Sequence, residues 1–162
     1  MEVDDLFQVG DKVFYPMHGA GIIKAIEERE VLGETHEYYV INIPISNMNV
    51  MIPIKKIQKS GIRPIIDRQT MKDILFDFHN MEPKESLPWK ERFNSNMEKM
   101  KTGNVQDSAE VIRDLLYYSK EKVLNTSERH MLNEAKRNVI SEMILIRDIT
   151  ESQAADLLKL TS

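Results

Sequence analysis

The spacing of apolar residues along this chain changes period once, near residue 60, and that change limits the fold more than any single motif does. Up to there apolar and polar residues alternate in short runs broken by Gly, Pro, Asn and Ser. Beyond it the apolar residues recur at every third and fourth position. A chain written this way forms a β module followed by a helical one. Residues 11–15 read as a first strand stopped by Pro16. Gly19 and Gly21 follow, supplying positive φ or close backbone approach. Further strands are predicted over 22–30, 36–43 and 48–52, separated by turns at Leu32-Gly33-Glu34 and Ser46-Asn47, with a short fifth over 61–64. Strands this short, with frequent turn signals, predict a small barrel rather than a sandwich.

In the second part Asp67 can cap a helix whose apolar face is Met71, Ile74, Leu75 and Phe78. Residues 80–87 form a loop, and Pro88 sits in the first turn of the next helix, where its missing N–H is tolerated. That helix places Trp89, Phe93, Met97 and Met100 on one stripe and stops at Gly103-Asn104. A third helix is expected to bury Ala109, Ile112, Leu115, Leu116 and Val123. Asn125 with Glu128 resembles a capping box opening a fourth helix, which carries Leu132, Ala135, Val139, Met143 and Ile146. Thr150 with Gln153 repeats that signature before a short last helix with Ala154, Leu157 and Leu158. Each helix has one apolar face, so the segment predicts an all-α bundle of four to five helices over 67–162. The β module covers 1–60, with the boundary near 58–66.

Composition removes several classes of function. No apolar run approaches the ~20 residues of a membrane span. The start, Met-Glu-Val-Asp-Asp, is acidic where a secretory signal would be basic, and there is no cysteine, so a cytoplasmic protein without disulfides or thiolate metal sites is expected. His130 and Glu134 could offer two metal ligands on one helical face, but no third is nominated, and an incidental ion pair is the simpler reading. No nucleotide-binding loop or nucleophile motif is present, so neither an enzyme nor a cofactor is expected. Net charge is −4, carried entirely by residues 1–58, while residues 59–162 balance seventeen Lys/Arg against seventeen Asp/Glu. Any DNA contact from the helical part must therefore be local and weak on its own.

The single tryptophan fits two readings. Its stripe with Phe93, Met97 and Met100 suits core packing. Its place in the first turn, beside Lys90 and Arg92, suits an apolar wedge flanked by cations, as minor-groove binders use. Periodicity does not decide between them.

The string Val9-Gly10-Asp11-x-Val13-x-Tyr15-Pro16-x-His18-Gly19-Ala20-Gly21, with Glu37-Tyr38-Tyr39 and Pro53, resembles the Tudor-like RNA-polymerase-interacting module of the bacterial CarD/CdnL regulators, which transcription–repair coupling factor shares. Pro88-Trp89-x-x-Arg92-Phe93, Asn96-x-Glu98-Lys99, Ala109-Glu110-Val111-x-Arg113-Asp114-Leu115 and Ser127-Glu128-Arg129-x-Met131-Leu132 resemble the family's helical domain. The resemblance implies a transcription regulator whose β module docks on the polymerase β subunit by edge pairing. Arg29 matches a polymerase-contacting residue, and Val50, Met51 and Ile52 fall on the pairing strand. It implies that the helical domain contacts promoter DNA at the upstream edge of the melted −10 region, with Trp89 as wedge. Lys90, Arg92, Asn94, Arg129 and Lys136 form the DNA-facing set. Two positions depart from the pattern: Met51 stands where some members have a second polymerase-binding arginine, and Asn94 where a basic residue is usual. A monomer is expected, with edge-paired dimerisation open to it. The alternative is a protein–protein adaptor with Trp89 in its core.

Overall fold

The computed structural model describes residues 7–81 and 87–160, so the loop read over 80–87 lies mostly outside the described residues. The chain divides into two compact units between Ile65 and Ile66.

The first unit is a five-stranded antiparallel sheet: β1 (Lys12–Tyr15), β2 (Gly19–Val31), β3 (Glu34–Ile43), β4 (Met48–Pro53) and β5 (Arg63–Pro64), in the order β4-β3-β2-β1-β5. A two-residue turn joins β2 to β3, with φ of 53° at Leu32 and 79° at Gly33. Positive φ at both positions matches the right-handed twist of the flanking strands. A register shift between Ile23 and Ala25 bends β2 midway. The sheet nevertheless stays open, which corrects the expectation of a barrel. β5 is only two residues long and pairs with β1 alone, and a 3₁₀ helix over Ile54–Lys59 occupies the chain where closure would need strand. That helix turns Ile54 and Ile57 onto a core of Val13, Ile23, Tyr39, Ile41, Ile43 and Ile52. Each buried branched side chain there contributes about 1.5–3 kcal/mol.

The second unit holds five helices: α1 (Arg68–Asn80), α2 (Trp89–Lys101), α3 (Val105–Ser119), α4 (Thr126–Arg147) and α5 (Glu151–Leu157). Asp67 caps α1 by accepting the Thr70 amide at 2.7 Å, and hydrogen bonding from the Thr70 side chain, with that amide, holds its carboxyl below the ordinary range. α1 buries Met71, Ile74, Leu75 and Phe78, the face the periodicity predicts. α3 buries Ala109, Ile112 and Leu115 and leaves Leu116 half-exposed. It ends at Ser119, so Val123 lies beyond it and is 86% exposed, contrary to expectation. Asn125 caps α4 through the Glu128 amide at 2.8 Å, but the Glu128 carboxylate is engaged elsewhere, so the reciprocal half of that box is missing. The Thr150–Gln153 box at α5 is complete. No described helix is long and apolar enough to cross a membrane.

Close approach fixes one glycine in the sheet. A Cβ on Gly21 would stand 2.5 Å from the Asn42 carbonyl oxygen and 2.8 Å from Ile41 Cγ2. The obstruction is largely backbone, so it cannot swing away. Gly21→Ala is expected to destabilise the β unit by about 1–3 kcal/mol in urea denaturation. Gly10→Ala meets nothing within 4 Å and carries only the strain of φ +97°, so it should cost less.

Candidate functional site

α2 is amphipathic in the opposite sense to the one its sequence suggests. Its buried side chains are Arg92 and Asn96, one helical turn apart, and its apolar stripe runs along the edge of that buried face. Trp89 is 43% exposed and Met97 36%, with Phe93 and Met100 half-buried. The indole stacks on Phe93, ring centres 5.5 Å apart and 15° from parallel. Core packing of Trp89 is thereby excluded.

The inversion has an electrostatic cause. Arg92 is 4% exposed and Glu128, at the start of α4, is 1% exposed. Arg92 Nε donates to Glu128 Oε2 at 2.9 Å and Nη2 to Oε1 at 3.1 Å, a two-pronged bond. Nη1 donates to the Leu87 carbonyl, and the guanidinium lies over the Tyr118 ring at 3.7 Å. The bond to Glu128 raises the guanidinium pKa above its ordinary value, against the opposing effect of burial. Asn96 donates to Asp114 Oδ2 at 2.9 Å on α3. These partners take Arg92 away from the surface, which corrects its expected place in the DNA-facing set: a guanidinium committed on all three nitrogens has no edge left for phosphate. Its role is to hold the helix that carries Trp89. Sequence reasoning missed Glu128 and Tyr118, the groups that hold it. The only available signal was the i, i+4 spacing of Arg92 and Asn96.

The pair also ties the first turn of α2 to the first turn of α4. Lys90 and Asn94 are exposed on α2, and Arg129, next to Glu128, is exposed on α4 with one N–H on the Leu124 carbonyl. Lys136 lies two turns further along α4 and is half-buried. No side chain caps α2, whose N-cap is Pro88. Its leading amides and the positive end of its dipole therefore add to Lys90 and Arg129. Glu91 in the same turn offsets part of that charge.

On the first unit, Arg29 is exposed on β2 and bonded to Glu27 Oε2 at 2.7 Å. It stands opposite His36, whose Nε2 contacts Glu34 at 3.0 Å and Lys55 at 3.2 Å, holding the Glu34 carboxyl below its ordinary range. Met51 is exposed on the edge strand β4, Val50 is half-buried, and the Ile52 side chain is in the core. Ile52 thus offers a partner its backbone only. Among the described residues no group of three His, Cys, Asp or Glu could hold a metal ion.

Comparison with known proteins matches residues 7–66 to the CarD-like/TRCF RID domain and residues 73–159 to the CarD C-terminal domain. A curated Bacillus subtilis (strain 168) protein, "Putative transcription factor YdeB", is 53% identical over 148 residues, which is 91% of this chain and 97% of that protein. The chain belongs to the CarD family. The solution structure of the 72-residue N-terminal domain of Myxococcus xanthus CarD is similar at 31% identity and a TM-score of 0.31, covering 36% of this chain and 77% of that one. This CarD-family chain carries both domains in the family's order.

For this CarD-family chain, Arg92→Met leaves the Glu128 charge buried without a partner and is expected to cost about 3–5 kcal/mol in chemical denaturation. Removing both charges together, with Glu128→Leu added, should recover most of that loss.

Proposed function

We propose that this protein regulates transcription by binding RNA polymerase through its β unit and stabilising the promoter open complex through its helical unit. The observation that carries the reading is the display of Trp89: a lone tryptophan on the surface, in the first turn of a helix whose buried face is polar. Single exposed apolar residues are ordinary, but a contiguous exposed stripe such as Trp89 with Phe93 and Met97 marks a surface that a partner covers. A flat indole beside Lys90 and Arg129 suits the minor groove at a weakened base step. Lys90, Asn94, Arg129 and the uncapped α2 amides position it on phosphates, and the ring supplies the wedge.

The charge balance of the helical part supports a tethered mechanism. With no net positive charge, the free protein releases few counterions and binds duplex DNA weakly. The polymerase β subunit, engaged by the β4 edge and Arg29, supplies the effective concentration that makes a weak contact sufficient. A wedge worth ~1–2 kcal/mol would lengthen open-complex lifetime roughly five- to thirty-fold. The adaptor alternative required Trp89 in the core and loses that support.

Trp89→Ala should leave stability within about 0.5 kcal/mol of the parent, as for other exposed positions. Open-complex lifetime on polymerase should fall toward the value without the protein. A variant that stabilises open complexes as well as the parent would remove the wedge. Arg29→Glu should instead reduce capture of the polymerase β subunit, mainly by slowing association, since it reverses a rim charge. Undiminished capture would move the contact elsewhere.

A further inference from the structure

Between α1, α2 and α3 runs a groove of about 580 Å³, within the size range of small-ligand sites. Ile74, Phe78 and Ala109 give it apolar surface, and Tyr117 and Arg113 line it from α3. Arg113 is 91% buried, at 9% relative exposure, yet its Nε and Nη2 have no hydrogen-bond partner among the described residues. These two nitrogens form one edge of the guanidinium. It is the same edge with which Arg92 grips the carboxylate of Glu128. In Arg113 that fork makes no bond among the described residues and is shielded from water. The carboxylates nearest it in sequence are taken: Glu110 by Lys99 at 3.2 Å and Asp114 by Asn96 at 2.9 Å. Tyr117 holds the guanidinium from one side, 5.1 Å from ring centre to Cζ.

A buried guanidinium with two orphaned N–H groups is costly to maintain, and such groups in folded proteins mark a missing partner. The geometry points to a binding site in this groove for a small oxyanion with an apolar or aromatic body, its carboxylate or phosphate on the Arg113 fork. Asp77 and Glu121 also line the groove, which disfavours polyanions and so separates this site from any nucleic-acid contact. The body of the ligand lies along Phe78 and Ile74. Arg92 borders the same groove, so an occupant sits beside the pair that positions α2.

The test titrates the full-length ¹⁵N-labelled protein with benzoate, phenyl phosphate and the neutral control benzyl alcohol, following the arginine Nε–H resonances. Benzoate or phenyl phosphate should shift the Arg113 resonance saturably, the tighter of the two identifying the acid, while benzyl alcohol leaves it unmoved. Arg113→Lys, followed through the backbone amide resonances of the groove in both proteins, should weaken binding by about tenfold or more, because an ammonium cannot form the two-pronged bond. If that variant does not fold, the parent titration decides alone, and no saturable shift from either anion overturns the site. Equal affinity in Arg113→Lys, or an equal shift with benzyl alcohol, also overturns it.

Discussion

The bond between Arg92 and Glu128 determines what the helical unit presents to the outside. Two charges this deeply buried lose their hydration, and only good geometry restores it: two parallel N–H···O bonds, a third bond to the Leu87 carbonyl, and the face of Tyr118. Such a pair adds little net stability over an apolar equivalent, but it tolerates almost no rotation of α2 about its axis. With Arg92 and Asn96 inward, the adjoining stripe of Trp89, Phe93 and Met97 falls at the border of the buried face, Trp89 and Met97 exposed and Phe93 half-buried. The display of Trp89 at the surface therefore follows from a polar contact on the neighbouring positions of the helix.

The same bond explains where sequence reasoning works and where it fails. α1 obeys the rule that apolar residues face inward, and its buried face is legible residue by residue. α2 breaks the rule because its inward residues have partners on α3 and α4, and pairings of 18 and 36 residues' separation leave no trace in local periodicity. Glu128 shows the same conflict. Its spacing from Asn125 signals a cap, and the amide does bond Asn125, but the carboxylate is drawn to Arg92. In the β unit the strands and turns were legible from Gly, Pro and alternation. Closure was not, because Ile54 and Ile57, spaced by three, mark a 3₁₀ turn inside a stretch with no strong signal of its own.

The two units use different physics for different tasks. In the first, Gly21 lets β2 and β3 pass at a distance no side chain allows, and β4 keeps an open edge carrying Met51 outward. An open edge is a hazard in isolation and an asset to a chain that acts on a partner. In the second, burial of polar groups fixes orientation. A mutation in either region therefore disturbs a different feature, the close pairing of β2 and β3 in one and the orientation of α2 in the other.

The exposed stack of Trp89 on Phe93 has a practical consequence. The chain contains one tryptophan, so all indole emission comes from the surface that the functional reading singles out. The protein carries an intrinsic reporter at that spot, needing no label. Emission maximum and access to iodide or acrylamide read directly whether the indole is in water, against its phenyl neighbour, or covered by something else. The five tyrosines lie in other positions, and excitation at long wavelength leaves them silent. Occupancy of this face by any partner that lacks tryptophan can thus be followed in the unmodified molecule.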